Sequence, residues 1–244
     1  MRYLIKFSYD GTNFYGYQKQ PGKRTVEGEL EKALYDINNH TETRIFSSGR
    51  TDRGVHALGQ MAHFDIDVDI TLYKLKCALN SLLPEDIHVI EAVTTNDDFH
   101  ARFMVKKKTY KYYLNMGEYN PLLRNSVYQY NKKLNIEKMK EAIKSFIGTY
   151  DFKVFASAEV IKESYIRTIY DANIEVNGDI VTFTFISNGF MKYQVRNMVG
   201  TLIKVGKEKL EVDIIRKLLN NEASDKHVFT ARPEGLYLVE VSYK

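Results

Sequence analysis

I-R-T-I-Y-D-A-N-I-E-V-N-G-D-I-V-T-F-T-F-I-S, residues 166–187, settles what kind of sheet this chain builds. Both arms are rich in β-branched and aromatic residues and alternate in polarity, the period of a strand with one buried face. Between the arms stands Asn177-Gly178. A two-residue hairpin loop needs positive φ, and asparagine and glycine supply it at low steric cost. The stretch therefore reads as strands over 166–176 and 179–187, paired antiparallel.

The elements around this hairpin form a pattern that occurs twice. Residues 109–116 read as a strand. Asn135 can cap a helix whose apolar face is Ile136, Met139, Ile143, Phe146 and Ile147, with Gly148 as its stop. After the hairpin come helical periods at 194–205 and 212–219, and a last alternating strand at 236–242. The first half has the same order. It runs strand 2–9, a D-G-T-N turn, a helix from Thr25 bearing Val26, Leu30, Ala33, Leu34 and Ile37, and strands at 44–48 and 60–66. A helix at 72–83, closed by Pro84, and a strand at 86–94 complete it. The economical architecture is α+β: two pseudo-repeated split β-α-β (ferredoxin-like) halves, each an antiparallel sheet with helices on one side. The element order carries the duplication; the residues themselves do not repeat. The join falls near 103–108, where composition turns basic, giving expected domains 1–104 and 105–244.

Bulk properties narrow the class. The 244 residues suit one large domain or two compact halves. A charge of +4 is mildly basic and hints only weakly at an anionic partner. The single cysteine, Cys77, rules out an internal disulfide. Its helical spacing among Leu72, Leu75, Ala78, Leu79 and Leu82 reads as a buried apolar position. No apolar run approaches the ~20 residues of a membrane span, and the N-terminus lacks a signal-peptide core, so the expected location is cytoplasmic.

The chemistry concentrates in S-S-G-R-T-D-R-G-V-H-A, residues 47–57. Asp52 sits between Arg50 and Arg53, bracketed by Gly49 and Gly54. Cationic neighbours favour its ionised form, which makes a poor general base at neutral pH but suits a nucleophile or an ion-pair anchor. The glycines permit a sharp turn and close approach to a ligand, and the arginines can hold phosphates or nucleobases. An Asp-Arg surface turn with glycines for geometry is the alternative on spacing alone.

This stretch resembles the G-R-T-D-x-G-V-H signature of the tRNA pseudouridine synthase A family. Further matches run in order through the chain: Y-D-G-T-N-F-Y-G-Y-Q at 9–18, L-P-E-D-I at 83–87, D-D-F-H-A-R-F at 97–103 and K-K-T-Y-K-Y at 107–112. Q-V-R-N-M-V-G-T-L at 194–202 and P-E-G-L-Y-L at 233–238 complete the set. The resemblance implies the pseudouridine synthase fold and isomerisation of uridine in the anticodon arm of tRNAs, on its 3′ side. The N1–C1′ bond breaks, the uracil turns, and C5 bonds to C1′. It implies no metal or organic cofactor, and a homodimer that takes RNA across both subunits. Histidines 40, 56, 63, 88, 100 and 227 do not fall at metal-ligand spacing.

By the same resemblance Asp52 is the essential carboxylate, acting either at uracil C6 or at C1′. Tyr110 matches the tyrosine that stacks on the flipped base, and Arg196 the basic residue that pairs with the carboxylate. A helical arginine amid Val195, Met198, Val199, Leu202 and Ile203 needs such a partner if buried. Leu236 matches an apolar wall of the uracil pocket. Arg50 matches the arginine that props the gap left by the extruded base, whose flipping costs a few kcal/mol. Arg53 lies at the variable position and takes no role. His56, His100 and Arg102 are candidate RNA contacts, with structural hydrogen bonding as the alternative. The run Arg102, Lys106, Lys107, Lys108, Lys111, interleaved with aromatics, reads as phosphate-binding, with affinity that falls steeply with salt. The RNA-recognition-motif signature is absent. One departure bears on the target: D-F-K-V-F places Val154 where the family often has serine, and the segment after it is expected to loop near the RNA. A paralogue acting on ribosomal RNA is therefore the alternative substrate reading; a catalytically silent RNA-binding protein of the same fold is a separate rival, against which the intact Asp52, Tyr110 and Arg196 set argues.

Overall fold

The computed structural model of the chain describes residues 1–159 and 163–244. It divides into two compact units, one of Met1–Lys106 with Tyr237–Lys244, the other of Lys107–Leu236.

The first unit contains β1 (Arg2–Tyr9), α1 (Val26–Ile37), β2 (Phe46–Ser47), β3 (His56–Asp65), α2 (Leu72–Leu82) and β4 (Ile87–Thr94). β1 is central, antiparallel to both β3 and β4. Its alternation is the cause: Tyr3, Ile5, Phe7 and Tyr9 are all buried. β2 pairs with β3 through Phe46↔His63, and the chain's last strand pairs parallel with the other end of β3 through Tyr237↔His56. Those two short partners divide one edge of β3. β2 is shorter than its sequence pattern suggests, and β3 begins four residues earlier, because both β1 and the last strand hold the start of β3.

Thr25 caps α1, its Oγ1 accepting from the Gly28 amide at 3.3 Å. Arg24 beside it reaches Asp86 with two hydrogen bonds of 2.7 and 2.8 Å, tying the entry of α1 to that of β4. α2 corrects the reading of Cys77. Leu75 and Leu79 point inward, and Cys77 is exposed. Two residues beyond Leu75 is about 200° around a helix, so the apolar stripe is narrower than the spacing suggested.

The second unit contains β5 (Lys107–Asn115), β6 (Tyr128–Gln129), α3 (Ile136–Ile143), β7 (Gly148–Asp151), β8 (Ile166–Asn177), β9 (Ile180–Ser187), α4 (Gln194–Gly206) and α5 (Ile214–Leu219). The final strand, β10 (Leu236–Ser242), returns to the first unit after its opening residue. β5, β9, β8 and β7 are neighbours in that order, each pair antiparallel. The hairpin forms with its loop shifted by one residue: Asn177 pairs with Ile180, leaving Gly178-Asp179 as the turn, with Gly178 at φ +59°. α3 stops at Ile143 and tightens into a 3-10 turn at Lys144–Phe146. Phe146 is fully buried against Phe152, Phe155 and Phe185, and drawing it inward ends the regular helix. Gly148, at φ +131°, then opens β7, a strand too short to show alternation. Phe152 leads into a second 3-10 turn at Lys153–Phe155 holding Val154 half-buried; Val160, Ile161 and Lys162 of the expected RNA-side loop lie outside the described residues. Among the described residues no helix is long and apolar enough to cross a membrane.

Candidate active site

Asp52 sits in a turn just before β3. Its carbonyl accepts from the Val55 amide at 3.2 Å, and Gly54 in the third position has φ +76°, the geometry of a type II turn. The stretch 9–17 wraps this turn. Tyr17 N–H donates to Thr51 O at 3.1 Å, and Gly11 N–H donates to His56 Nδ1 at 3.1 Å. The Tyr9 hydroxyl meets Thr51 Oγ1 at 2.8 Å, and burial pushes that phenol up to about 12. Two glycines make the fit possible. A Cβ on Gly11 would collide with the Val55 carbonyl, and one on Gly16 would come within 3.0 Å of Thr51 O. The Asp10 carboxylate lies 3.1 Å from His56 Nδ1, whose ring stacks on Tyr237 at 4.6 Å. Two separate motifs of the sequence thus form one structure that fixes the backbone under a half-buried Asp52.

Arg50 and Arg53 flank the turn on its exposed side. Arg53 lies over the Tyr15 ring at 4.2 Å, and Lys23 sits on the same ring at 4.6 Å. The sequence assigned Arg53 nothing; the signal was Tyr15 within the 9–18 motif, visible only once the two segments meet. Before the turn, Gly49 O accepts from Ser47 Oγ at 3.1 Å and Gln60 Nε2 at 2.8 Å, which holds the approach to Arg50 against β3.

His100 and Arg102 lie elsewhere in this unit. His100 Nδ1 accepts the Arg102 amide at 3.1 Å, and its ring packs on His63 at 4.7 Å and Phe103 at 4.3 Å. Arg102 is exposed beside Phe103. His63 is at the far end of β3 from His56, seven residues or roughly 23 Å along the strand. The Asp52 turn and the His100 cluster are therefore at opposite ends of one strand. His63 Nδ1 accepts the buried Ala101 amide at 3.1 Å. Burial, then the charges of His100 and Arg2, push His63 down from 6.5 to about 4. The unfolded chain takes up this proton below pH 6.5 while the folded chain refuses it until about pH 4. The stability contribution is thus whole above 6.5 and lost as pH falls from 6.5 to 4, by about 3 kcal/mol at most. Urea midpoints measured across that window should fall more steeply for the natural chain than for His63→Gln. Parallel pH profiles would show that His63 is not the group responsible.

The second unit carries Lys108, Tyr110, Arg196 and Leu236. Tyr110 is buried on β5 opposite Phe185, its ring edge-on to Phe190 at 5.2 Å. Lys108 is half-buried opposite Ser187. Arg196 lies in the first turn of α4, its Nε donating to Ala231 O at 2.9 Å while its own carbonyl accepts the Ala231 amide at 2.9 Å. Its guanidinium covers the ring of Tyr193, the left-handed residue (φ +65°) that starts the helix. This bracing fixes both ends of the arginine's stem. Leu236 is buried at the start of β10, following Gly235, where any side chain would strike the Tyr113 carbonyl. Phe190 and Tyr193, absent from the sequence reading, lie beside Tyr110 and Arg196 respectively; the S-N-G-F-M-K-Y run before α4 shows no period that marks them.

Comparison with known proteins agrees with these motifs. The family model described as tRNA pseudouridine synthase matches residues 5–104 and 142–244. A tRNA pseudouridine synthase A of Streptococcus agalactiae is 41% identical over 246 residues, covering 100% of this chain and 95% of the relative. The protein of that name from a Geobacillus strain is 44% identical, covering 99% and 98%. A solved Cbf5-Nop10-Gar1 complex matches 93% of this chain and 69% of that chain at 12% identity and TM-score 0.35, a weak likeness. With the G-R-T-D turn intact and relatives matching end to end, the chain belongs to the tRNA pseudouridine synthase family.

Proposed function

We propose that the protein converts uridine to pseudouridine in tRNA, at uridines on the 3′ side of the anticodon arm, with Asp52 as the catalytic carboxylate. The observation that carries this reading is the turn around Asp52. Residues 9–17 and two close-approach glycines build it, and they hold a carboxylate half-buried at a cationic surface. Arg50 props the gap left by the extruded nucleoside. Tyr110 stacks on the uracil, Leu236 walls it, and Arg196 supplies a fixed cation. Lys108 contributes a phosphate contact, and His100 and Arg102 contact RNA further along β3.

The reaction balances within the nucleoside. The N1–C1′ bond breaks, the C5–C1′ bond forms, the C5 proton leaves and N1 gains one. No oxidant or reductant enters: the ionised carboxylate is the nucleophile, the pocket turns the base, and the Tyr110 hydroxyl assists removal of the C5 proton. The working form is a homodimer in the cytoplasm.

Mapping pseudouridine in total RNA from cells with and without this gene tests the target. Loss confined to anticodon-arm uridines, restored by the natural chain, is the expected outcome. Loss in ribosomal RNA alone would move the substrate to the paralogue reading, which the altered segment after Phe152 keeps in view.

A further inference from the structure

Arg167, the second residue of strand β8, is a half-buried guanidinium that no carboxylate among the described residues partners. Its Nη1 donates to main-chain oxygens of Ile166 at 2.6 Å and Ser164 at 3.4 Å. Burial alone pulls its pKa below the usual arginine range. Arg2 and Arg24 differ. Arg2 meets Asp65 at 2.8 Å, Arg24 meets Asp86 at 2.7 Å and Glu29 at 3.2 Å, and both arginines are raised by those carboxylates. A charge withdrawn from water without a counter-charge is costly, and an anion bound from outside removes that cost.

The surroundings leave room for one. The chain leaving β9 turns over Arg167 through Asn188 and Gly189. Asn188 N–H donates to Thr168 O at 3.2 Å, and Thr168 N–H to Asn188 Oδ1 at 3.1 Å. Ser187 Oγ donates to Gly189 O at 2.9 Å. A side chain begun at Gly189 would find a single described atom within 4 Å, Arg167 Nε at 3.9 Å. Among the described residues, Gly189 therefore opens a notch whose charged wall is the guanidinium. Lys107 and Lys108 begin the neighbouring strand β5, with Lys108 opposite Ser187. The next residue, Phe190, meets the Tyr110 ring.

We propose that Arg167 and the Gly189 notch form a receptor for a backbone phosphodiester of the RNA substrate. The proposal rests on the function proposed above. The fork of a guanidinium matches two phosphate oxygens, and a glycine lets the strand approach the main chain closely. The rival is a purely structural arginine that pins the 164–166 backbone.

Binding of a tRNA transcript across a salt series, with Arg167→Gln, Arg167→Lys and Gly189→Asp, separates the two. Gly189→Asp fits the open space and places a carboxylate against Arg167, so it blocks the receptor without removing it. Arg167→Gln and Gly189→Asp should each weaken binding about tenfold at low salt and reduce the log–log salt slope by about one. Arg167→Lys should keep most of the slope. Sulfate at constant ionic strength should raise the melting temperature of the natural chain more than that of either neutralised variant. An unchanged slope and an equal sulfate response in both variants would overturn the receptor while leaving the tRNA reading intact. Should the natural chain bind no tRNA, the function proposed above falls, and the sulfate comparison alone then decides whether Arg167 receives an anion.

Discussion

Asparagine at position 52 is expected to reduce tritium release from C5-tritiated uridine in tRNA by about 10⁴-fold or more, the scale of losing a nucleophile. The substitution is isosteric, and the turn is held through main-chain groups: Val55 N–H on the carbonyl of residue 52, and Tyr17 N–H on Thr51 O. The fold should therefore persist, with a melting temperature close to that of the natural chain. A neutral amide can neither add to an electrophilic carbon nor stabilise a cationic sugar. Affinity for tRNA should hold within about threefold or rise, since a negative charge has been removed from beside a polyanion. Loss of binding and turnover together in a well-folded Asp52→Asn protein would make Asp52 structural, whereas a natural chain that releases no tritium above an Asp52→Ala control would leave the silent RNA-binding reading standing.

The largest stability effect is expected at Gly200. A Cβ there would lie inside contact distance of the Phe229 carbonyl oxygen, 2.6 Å from its carbon and 2.8 Å from Ala231 N. All three atoms are main chain and cannot rotate aside. Nor can the 229–231 segment move off α4 without loss. Ala231 N–H donates to Arg196 O at 2.9 Å, Thr230 Oγ1 to Asn197 Oδ1 at 2.6 Å, and Phe229 N–H to Thr201 Oγ1 at 3.4 Å. Gly200→Ala should cost about 3–5 kcal/mol, read as a lowered urea midpoint. Activity should fall further than stability at permissive temperature, because the same segment braces Arg196. An unchanged midpoint would mean that helix and segment do not approach this closely.

Local rules were legible in the residue order because they act over a few positions. Alternation at residues 2–9 gives β1, Thr25 caps α1 where it stands, and the asparagine–glycine pair marks the hairpin, whose turn falls one residue later at Gly178-Asp179. The G-R-T-D motif was legible too, since a motif is linear. Packing decided the rest. The side of α2 that Cys77 occupies depends on how wide a stripe the sheet covers, and α3 ends where Phe146 finds three other phenylalanines.

Residue order by itself determined the antiparallel strands, the helices between them and the family of chemistry. Only tertiary structure decided that residues 9–17 enclose the Asp52 turn, that β10 leaves the second unit to pair with β3, and that Gly189 opens beside Arg167. The physical reason is range. Backbone preferences and periodicity are properties of neighbours along the chain. A hydrogen bond from Gly11 to His56, or a guanidinium with no carboxylate partner among the described residues, is a property of neighbours in space, and no short-range pattern encodes it.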